Sequence, residues 1–208
     1  MADKKFSIKE SISFGWKVVT ANLGFFIGFL VVSGIIQYVP SVLAQSVQKN
    51  STILAFLLKL VAWFIQMIVS MGFIRIALKF HDGNQGEWSD LYSCYPLFLN
   101  YVASSLLYGV IVFVGILLLV VPGIIWAIKY QYFGYLVVDK NLGPLEAIKR
   151  SGEITKGSVW QLFLFGLVAG GVALLGALCL LVGLFVAIPV VLMAGTFIYR
   201  KLESQSVS

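Results

Sequence analysis

Acidic residues are missing from every long apolar run of this chain, which argues against transport driven by buried, titrating carboxylates. Histidine is nearly missing too. With His81 alone, no buried Ser-His-Asp arrangement can be assembled, and no Walker-type glycine loop is present to cradle a phosphate. Two cysteines make no disulfide framework: Cys94 falls near one end of an apolar run and Cys179 deep within another, so both are expected as free thiols. Charge is scarce at 12% of residues, against 60% hydrophobic ones. The six apolar spans read below, at about 20 residues each, leave little chain for a soluble catalytic domain.

What charge there is lies outside the apolar runs and alternates in sides. Twelve of the 15 lysines and arginines fall before the first run, between the second and third, between the fourth and fifth, or after the sixth. These are Lys4, Lys5, Lys9, Lys17, Arg75, Lys79, Lys140, Lys149, Arg150, Lys156, Arg200 and Lys201. The opposite segments hold Lys49 alone, while Lys59 and Lys129 lie inside runs. Short loops rich in Lys and Arg stay in the cytoplasm, so the pattern predicts six crossings of the plasma or inner membrane with both termini cytoplasmic. The same segments carry all nine acidic residues, so the net charge of +6 reads as a topology signal with some attraction to anionic headgroups. It does not read as a nucleic-acid stripe, since base-reading modules are absent. Val42-Leu43-Ala44 resembles a cleavage site, but the amphipathic stretch before the first run is unlike a short basic leader, and no cleavage is expected.

The runs are Leu23 to Val39, Ile53 to Ile74, a continuous stretch from Leu97 to Val138, and another from Val159 to Tyr199. Each continuous stretch is too long for one helix and reads as a tight hairpin, the first bent at Pro122-Gly123 and the second near Gly183. Mean hydropathy is +0.95, well above soluble proteins. The loop between the first two runs carries Asn50-Ser51-Thr52, a glycosylation pattern read as chance. The expected fold is all-α: a polytopic transmembrane bundle of six spans forming a single membrane domain over 1–208.

Three connectors look like starts of capped helices. Phe6-Ser7-Ile8-Lys9-Glu10 is a capping box, Leu142-Gly143-Pro144-Leu145-Glu146 keeps its register with proline at the first helical position, and Trp88-Ser89-Asp90 lacks the glutamate. Ile8, Ile12, Trp16 and Val19 share one face of the first helix, and Leu145, Ile148 and Gly152 one side of the third. Pairs Glu146–Arg150 and Lys149–Glu153 are expected on the other side of the third. Helices of this kind lie flat at the headgroup boundary. Three amphipathic-helix-plus-hairpin units follow, over 6–80, 88–141 and 142–201, from internal triplication or from the habits of any such connector. Gly24-x3-Gly28, Ser105-x3-Gly109, Gly166-x3-Gly170 and Ala173-x3-Ala177 sit on the odd-numbered runs. Such glycine-zipper spacing places those runs in the packed interior.

The stretch Val121-Pro122-Gly123-Ile124-Ile125-Trp126, Val138-Asp139-Lys140, Gly143-Pro144-Leu145-Glu146-Ala147-Ile148-Lys149-Arg150-Ser151 and Thr155-Lys156-Gly157 is distinctive. It resembles a large group of uncharacterised bacterial multi-pass proteins, and is similar to the membrane domain attached to some glycerophosphodiester phosphodiesterases. The resemblance is best from Arg75 to Arg200. It implies a six-helix membrane fold and a role near lipids, and carries no catalytic residue.

Candidate sites are few. His81, Asp82, Glu87 and Asp90 cluster within ten residues and could hold a divalent ion, but Asp82-Gly83 reads as a turn and Asp90 as a helix-start residue, so no metal or other cofactor is expected. Intramembrane cations are the better flag. A lysine at mid-membrane costs about 3 kcal/mol, which Lys59 avoids by snorkelling. Lys129, with Trp126 and Tyr130 beside it, is the candidate ligand-binding group, either facing an anion in a cavity or snorkelling to an interface. The chain reads as a non-enzymatic membrane protein that organises or binds lipid or protein partners at the cytoplasmic face, with homo-oligomers possible; the alternative is a small-solute or anion transporter or channel using Lys129. A lipid-acting enzyme is the least favoured reading.

Overall fold

The computed structural model describes residues 6–48, 51–178 and 182–206. The charges Lys4, Lys5 and Lys49, the Asn50 glycosylation pattern and Cys179 lie outside the described residues. Among the described residues the chain is helical, without strands: α1 (Ile8–Ala21), α2 (Leu23–Val47), α3 (Thr52–His81), a single turn α4 (Asp90–Ser93), α5 (Phe98–Leu118), α6 (Val120–Tyr130), α7 (Phe133–Lys140), α8 (Pro144–Ile154), α9 (Val159–Leu178) and α10 (Leu184–Ser204). A 3-10 turn, Tyr95–Leu97, leads into α5.

Five segments are long and apolar enough to cross a membrane: α2, α3, the stretch Asp90–Leu118 ending in α5, α9 and α10. The expected fourth crossing is not one helix. It is broken at Gln131 and Tyr132 into α6, of 11 residues, and α7, of 8. At a rise of 1.5 Å per residue α6 is about 16 Å long, roughly half the hydrocarbon thickness. The two pieces still return the chain from the tip at Leu119 to the charged end, where Asp139 of α7 meets Arg200 of α10 at 2.8 Å. α8 makes the break tolerable. The Tyr132 amide donates to the Ser151 hydroxyl at 3.1 Å, and the Ser151 and Thr155 hydroxyls donate to the Lys129 carbonyl at 3.2 and 2.8 Å. Backbone groups freed by an interrupted helix must find partners when buried, and here a neighbouring helix supplies them.

The helix most enclosed by protein is α10, not an odd-numbered run. Of its most apolar stretch 44% is buried, against 11–17% for the other four spans. Ala194, Ile198, Tyr199 and Leu202 are fully buried in it, packed with Met71 of α3, Leu136 of α7 and Ile154 of α8, while Met193 is buried with Val19 of α1 and Phe26 of α2. The zipper glycines account for none of this: a Cβ at Gly24, Gly109, Gly166 or Gly170 would meet nothing within 4 Å, and one at Gly28 only the Trp88 ring at 3.3 Å. In that stretch of α9 it is Gly176 that packs, against Gly183 and Ala187 at the turn into α10.

Ser7 caps α1 as its sequence indicates, accepting from the Glu10 amide at 3.2 Å. The packed face of α1 differs from the expected apolar one. Ser11, Gly15 and Val19 are buried, while Trp16 is 56% exposed. The helix lies lengthwise on α10, with Gly15 directly against the Val190 carbonyl and 3.2 Å (as a Cβ) from the Ala194 amide. Small residues at every fourth position let the two backbones approach, and that contact outweighs spreading the large apolar residues on one face. Ser89 makes no side-chain cap, and the helix it precedes is a single turn. On α8, Ala147, Ile148, Ser151, Gly152 and Ile154 are buried whereas Leu145 is 64% exposed.

Candidate functional site

Five described acidic residues, Asp82, Asp90, Asp139, Glu153 and Glu203, pair with basic side chains, and four of them do so between segments. Arg200 is the hub. Its guanidinium donates to Asp82 after α3, with Nε at 3.1 Å, and to Asp139 of α7 at 2.8 Å. The Tyr199 hydroxyl donates to the same Asp139 oxygen at 2.9 Å, and Lys140 stands 3.7 Å away. A second pair ties Arg150 of α8 to Glu203 of α10 at 3.2 Å, with Glu153 also at 3.2 Å. Burial works against the Arg150 charge, but Glu203 and Glu153 outweigh it and hold its pKa above the ordinary value. Arg150 therefore pairs three residues onward and across to α10, rather than with Glu146.

The residues weighed and set aside as a metal cluster are committed to other partners. Asp82 engages Arg200, Asp90 engages Lys79 at 2.8 Å and accepts from the Glu87 amide at 2.7 Å, and the His81 ring lies 5.2 Å from Phe14 and 6.0 Å from Phe197 while touching Asp82 at 3.2 Å. Two carboxylates committed to separate lysine and arginine partners act as interhelical ties. Lys59 reaches the Gln48 side chain at 3.4 Å, toward the α2–α3 turn, as a snorkelling lysine does.

The structure separates the three residues singled out on the fourth run. Trp126 faces α5, where its ring lies 2.8 Å from the position of a Cβ on Gly115; with Gly115 against Gly123 it seals the α5–α6 hairpin. Lys129 and Tyr130 point the other way, onto α8. A Cβ on Gly152 would lie 3.0 Å from the Tyr130 ring and 3.3 Å from Lys129 Cε, so the absence of a side chain there makes room for both. The Lys129 ammonium sits 5.3 Å from the centre of the Tyr130 ring.

Beside Lys129 the surface opens. A groove of about 550 Å³ runs between α6 and α9, lined by Val121, Ile124, Ile125 and Ile128 on one wall and Val159, Trp160 and Phe163 on the other. In the chain, Lys129 follows Ile128 of one wall and Lys156 precedes Val159 of the other by three residues. Ser151, Thr155, Asp139 and Arg200 escaped the sequence reading as site residues. Asp139 carried a usable signal, an acid at the border of an apolar segment. The distant partner Arg200 did not, because 61 residues separate them.

Fold and charge distribution together define a multi-pass helical membrane protein whose ionic ties lie at one end. Its residues 93–206 match the family described as "Protein of unknown function (DUF975)", more than half the chain, and the protein belongs to that family. The match takes in α5 to α10, the broken fourth run and the junction with α8. The chain is 30% identical over 106 residues to the uncharacterized protein Rv2560 of Mycobacterium tuberculosis and likewise to the uncharacterized protein Mb2590 of Mycobacterium bovis. Each alignment covers 51% of this chain and 33% of the relative, so the chain spans about a third of the length of the curated relatives it matches. No solved structure matches it.

Proposed function

We infer that this protein is a non-enzymatic component of the bacterial inner membrane that organises lipid or protein partners at its charged end, with that end and both termini in the cytoplasm. One observation carries the reading. Four of the carboxylates at that end are engaged in holding segments together, while two lysines beside them stay exposed. Asp82, Asp90, Asp139 and Glu203 each contact a cation on another segment, whereas Lys149 and Lys156 are exposed and make no ion pair among the described residues. A carboxylate locked to arginine is poorly placed to exchange protons with a substrate, and a surface of lysines attracts anionic headgroups. The excess of Lys and Arg in these loops supports the orientation. The resemblance to the membrane domain of glycerophosphodiester phosphodiesterases adds a separate reason to look to lipids.

Purification in a mild detergent with native lipids, followed by mass spectrometry, tests the reading. Enrichment of an anionic lipid or of a protein partner over the bulk membrane is the expected result. Lipids in bulk proportion with no partner would refute it. Anion flux into liposomes that disappears in Lys129→Gln would replace it with transport.

A further inference from the structure

Helix register sets three lysines around Gly152 of α8, beside the α6–α9 groove. Lys129 is brought onto α8 by the hydrogen bonds of Ser151 and Thr155 to its carbonyl, and its stem lies across Gly152. Lys149 is one helical turn before Gly152, and Lys156 directly follows Thr155. None of the three forms an ion pair among the described residues, although Arg150, Lys140 and Arg200 around them all do. The carboxylate between Lys149 and Lys156, Glu153, is held by Arg150 at 3.2 Å, so the like charges repel one another and an anion placed among them relieves that repulsion.

The groove supplies the other half. Its walls carry only aliphatic and aromatic side chains, and from Val121 to Ile128 they extend about 10 Å along α6 by the rise of a helix. Trp160, 69% exposed, stands at the boundary between groove and lysines and stacks on Phe163 with ring centres 5.3 Å apart. Aromatic rings at such a level sit where acyl chains give way to headgroups. Between spans of a membrane protein a groove like this one opens to lipid, so its occupant needs an apolar body. At the lysine end it needs negative charge.

We propose that the α6–α8–α9 junction is a binding site for one anionic phospholipid, its phosphate held by Lys129 and Lys156 with Lys149 alongside, and an acyl chain lying in the groove formed by Ile124, Ile125 and Ile128 against Trp160 and Phe163. The break in the fourth run has a purpose on this account. An unbroken helix would carry Lys129 past α8, whereas the turn at Gln131 and Tyr132 lets α8 dock and gathers the three cations. The site deepens the lipid-organising role inferred above and rests on it.

Native mass spectrometry of the full chain in mild detergent, titrated with phosphatidylglycerol or phosphatidylcholine, tests the site. The wild type should bind one phosphatidylglycerol more tightly than phosphatidylcholine. In Lys129→Gln/Lys156→Gln that binding should weaken about 25-fold, from about fivefold per lysine lost near an anionic headgroup. Ile125→Trp keeps every charge and fills the groove from a side chain that is 43% exposed, so it should fold normally and lose the bound lipid as well. If the wild type prefers phosphatidylglycerol and both variants keep it, the site is overturned while a lipid role elsewhere on the protein stands. Loss in the lysine variant with none in Ile125→Trp would mean surface attraction and overturn the groove. No preference in the wild type would refute both the site and the lipid role.

Discussion

Replacing Gly15 and Gly166 by leucine, one at a time, separates close helix packing from the mere presence of glycine in an apolar helix. The two substitutions are chemically identical and both occur within helices. In isolation each should gain about 1 kcal/mol, because glycine is a poor helix former. Their surroundings differ. At Gly15 a Cβ would collide with the Val190 carbonyl oxygen, with the Ala194 amide at 3.2 Å behind it, and both are backbone atoms that cannot rotate away. α1 would have to back off α10 along the seam of Ser11, Gly15 and Val19, all buried. A radial gap of even 0.5–1 Å forfeits about a quarter to a half of the dispersion at each contact. With overpacking at about 1–3 kcal/mol for added methylenes, and more for a whole leucine, Gly15→Leu should lose about 3 kcal/mol net. At Gly166 nothing lies within 4 Å, and the leucine should project into lipid without loss. Thermal unfolding of both purified variants in one detergent reads the difference. Gly15→Leu should unfold at least about 6 °C below the wild type and Gly166→Leu at or slightly above it. Equal midpoints, or a larger loss at Gly166, would refute the packing of α1 on α10 and restore the run-five glycines as the interface.

Arg200→Gln should destabilise by about 1–3 kcal/mol, because it leaves Asp139, with a side chain only 12% exposed, with Lys140 at 3.7 Å as its remaining cation. The double variant with Asp139→Asn should recover part of that loss, as a thermal-shift double-mutant cycle would show. Ser151→Ala removes the acceptor of the Tyr132 amide and should cost about 1–3 kcal/mol. Faster hydrogen exchange at that amide, with the far side of α5 unchanged, is the expected sign. A reporter fused after Ser208 should read as cytoplasmic and one inserted at Gln48 as external. Both on the same side would contradict the loop-charge orientation.

Periodicity and charge placement were enough to establish an all-helical, multi-pass chain, because a backbone in hydrocarbon must satisfy itself locally and helices do so over about 20 apolar residues. The Ser7 cap and the α5–α6 turn near Pro122-Gly123 were legible for the same reason: their chemistry is complete within a few residues. Contacts across the chain were not. Small-residue spacing marked Gly166 and Gly170, yet in lipid a glycine stripe is equally stable facing acyl chains, and only the arrangement of α10 decided that Gly15 packs and those two do not. Likewise nothing near Lys129 announces a broken helix, since Gln131 and Tyr132 are ordinary helix residues. The break exists because Ser151 and Thr155, 19 to 26 residues away, satisfy the backbone groups it frees. A hydrogen bond between distant segments depends on where both are held in space, and that is set by packing. Sequence alone therefore determined the helical class of this chain and its run of apolar spans. The tertiary structure decided which helix is central, which carboxylates are locked, and that Lys129 is held against α8.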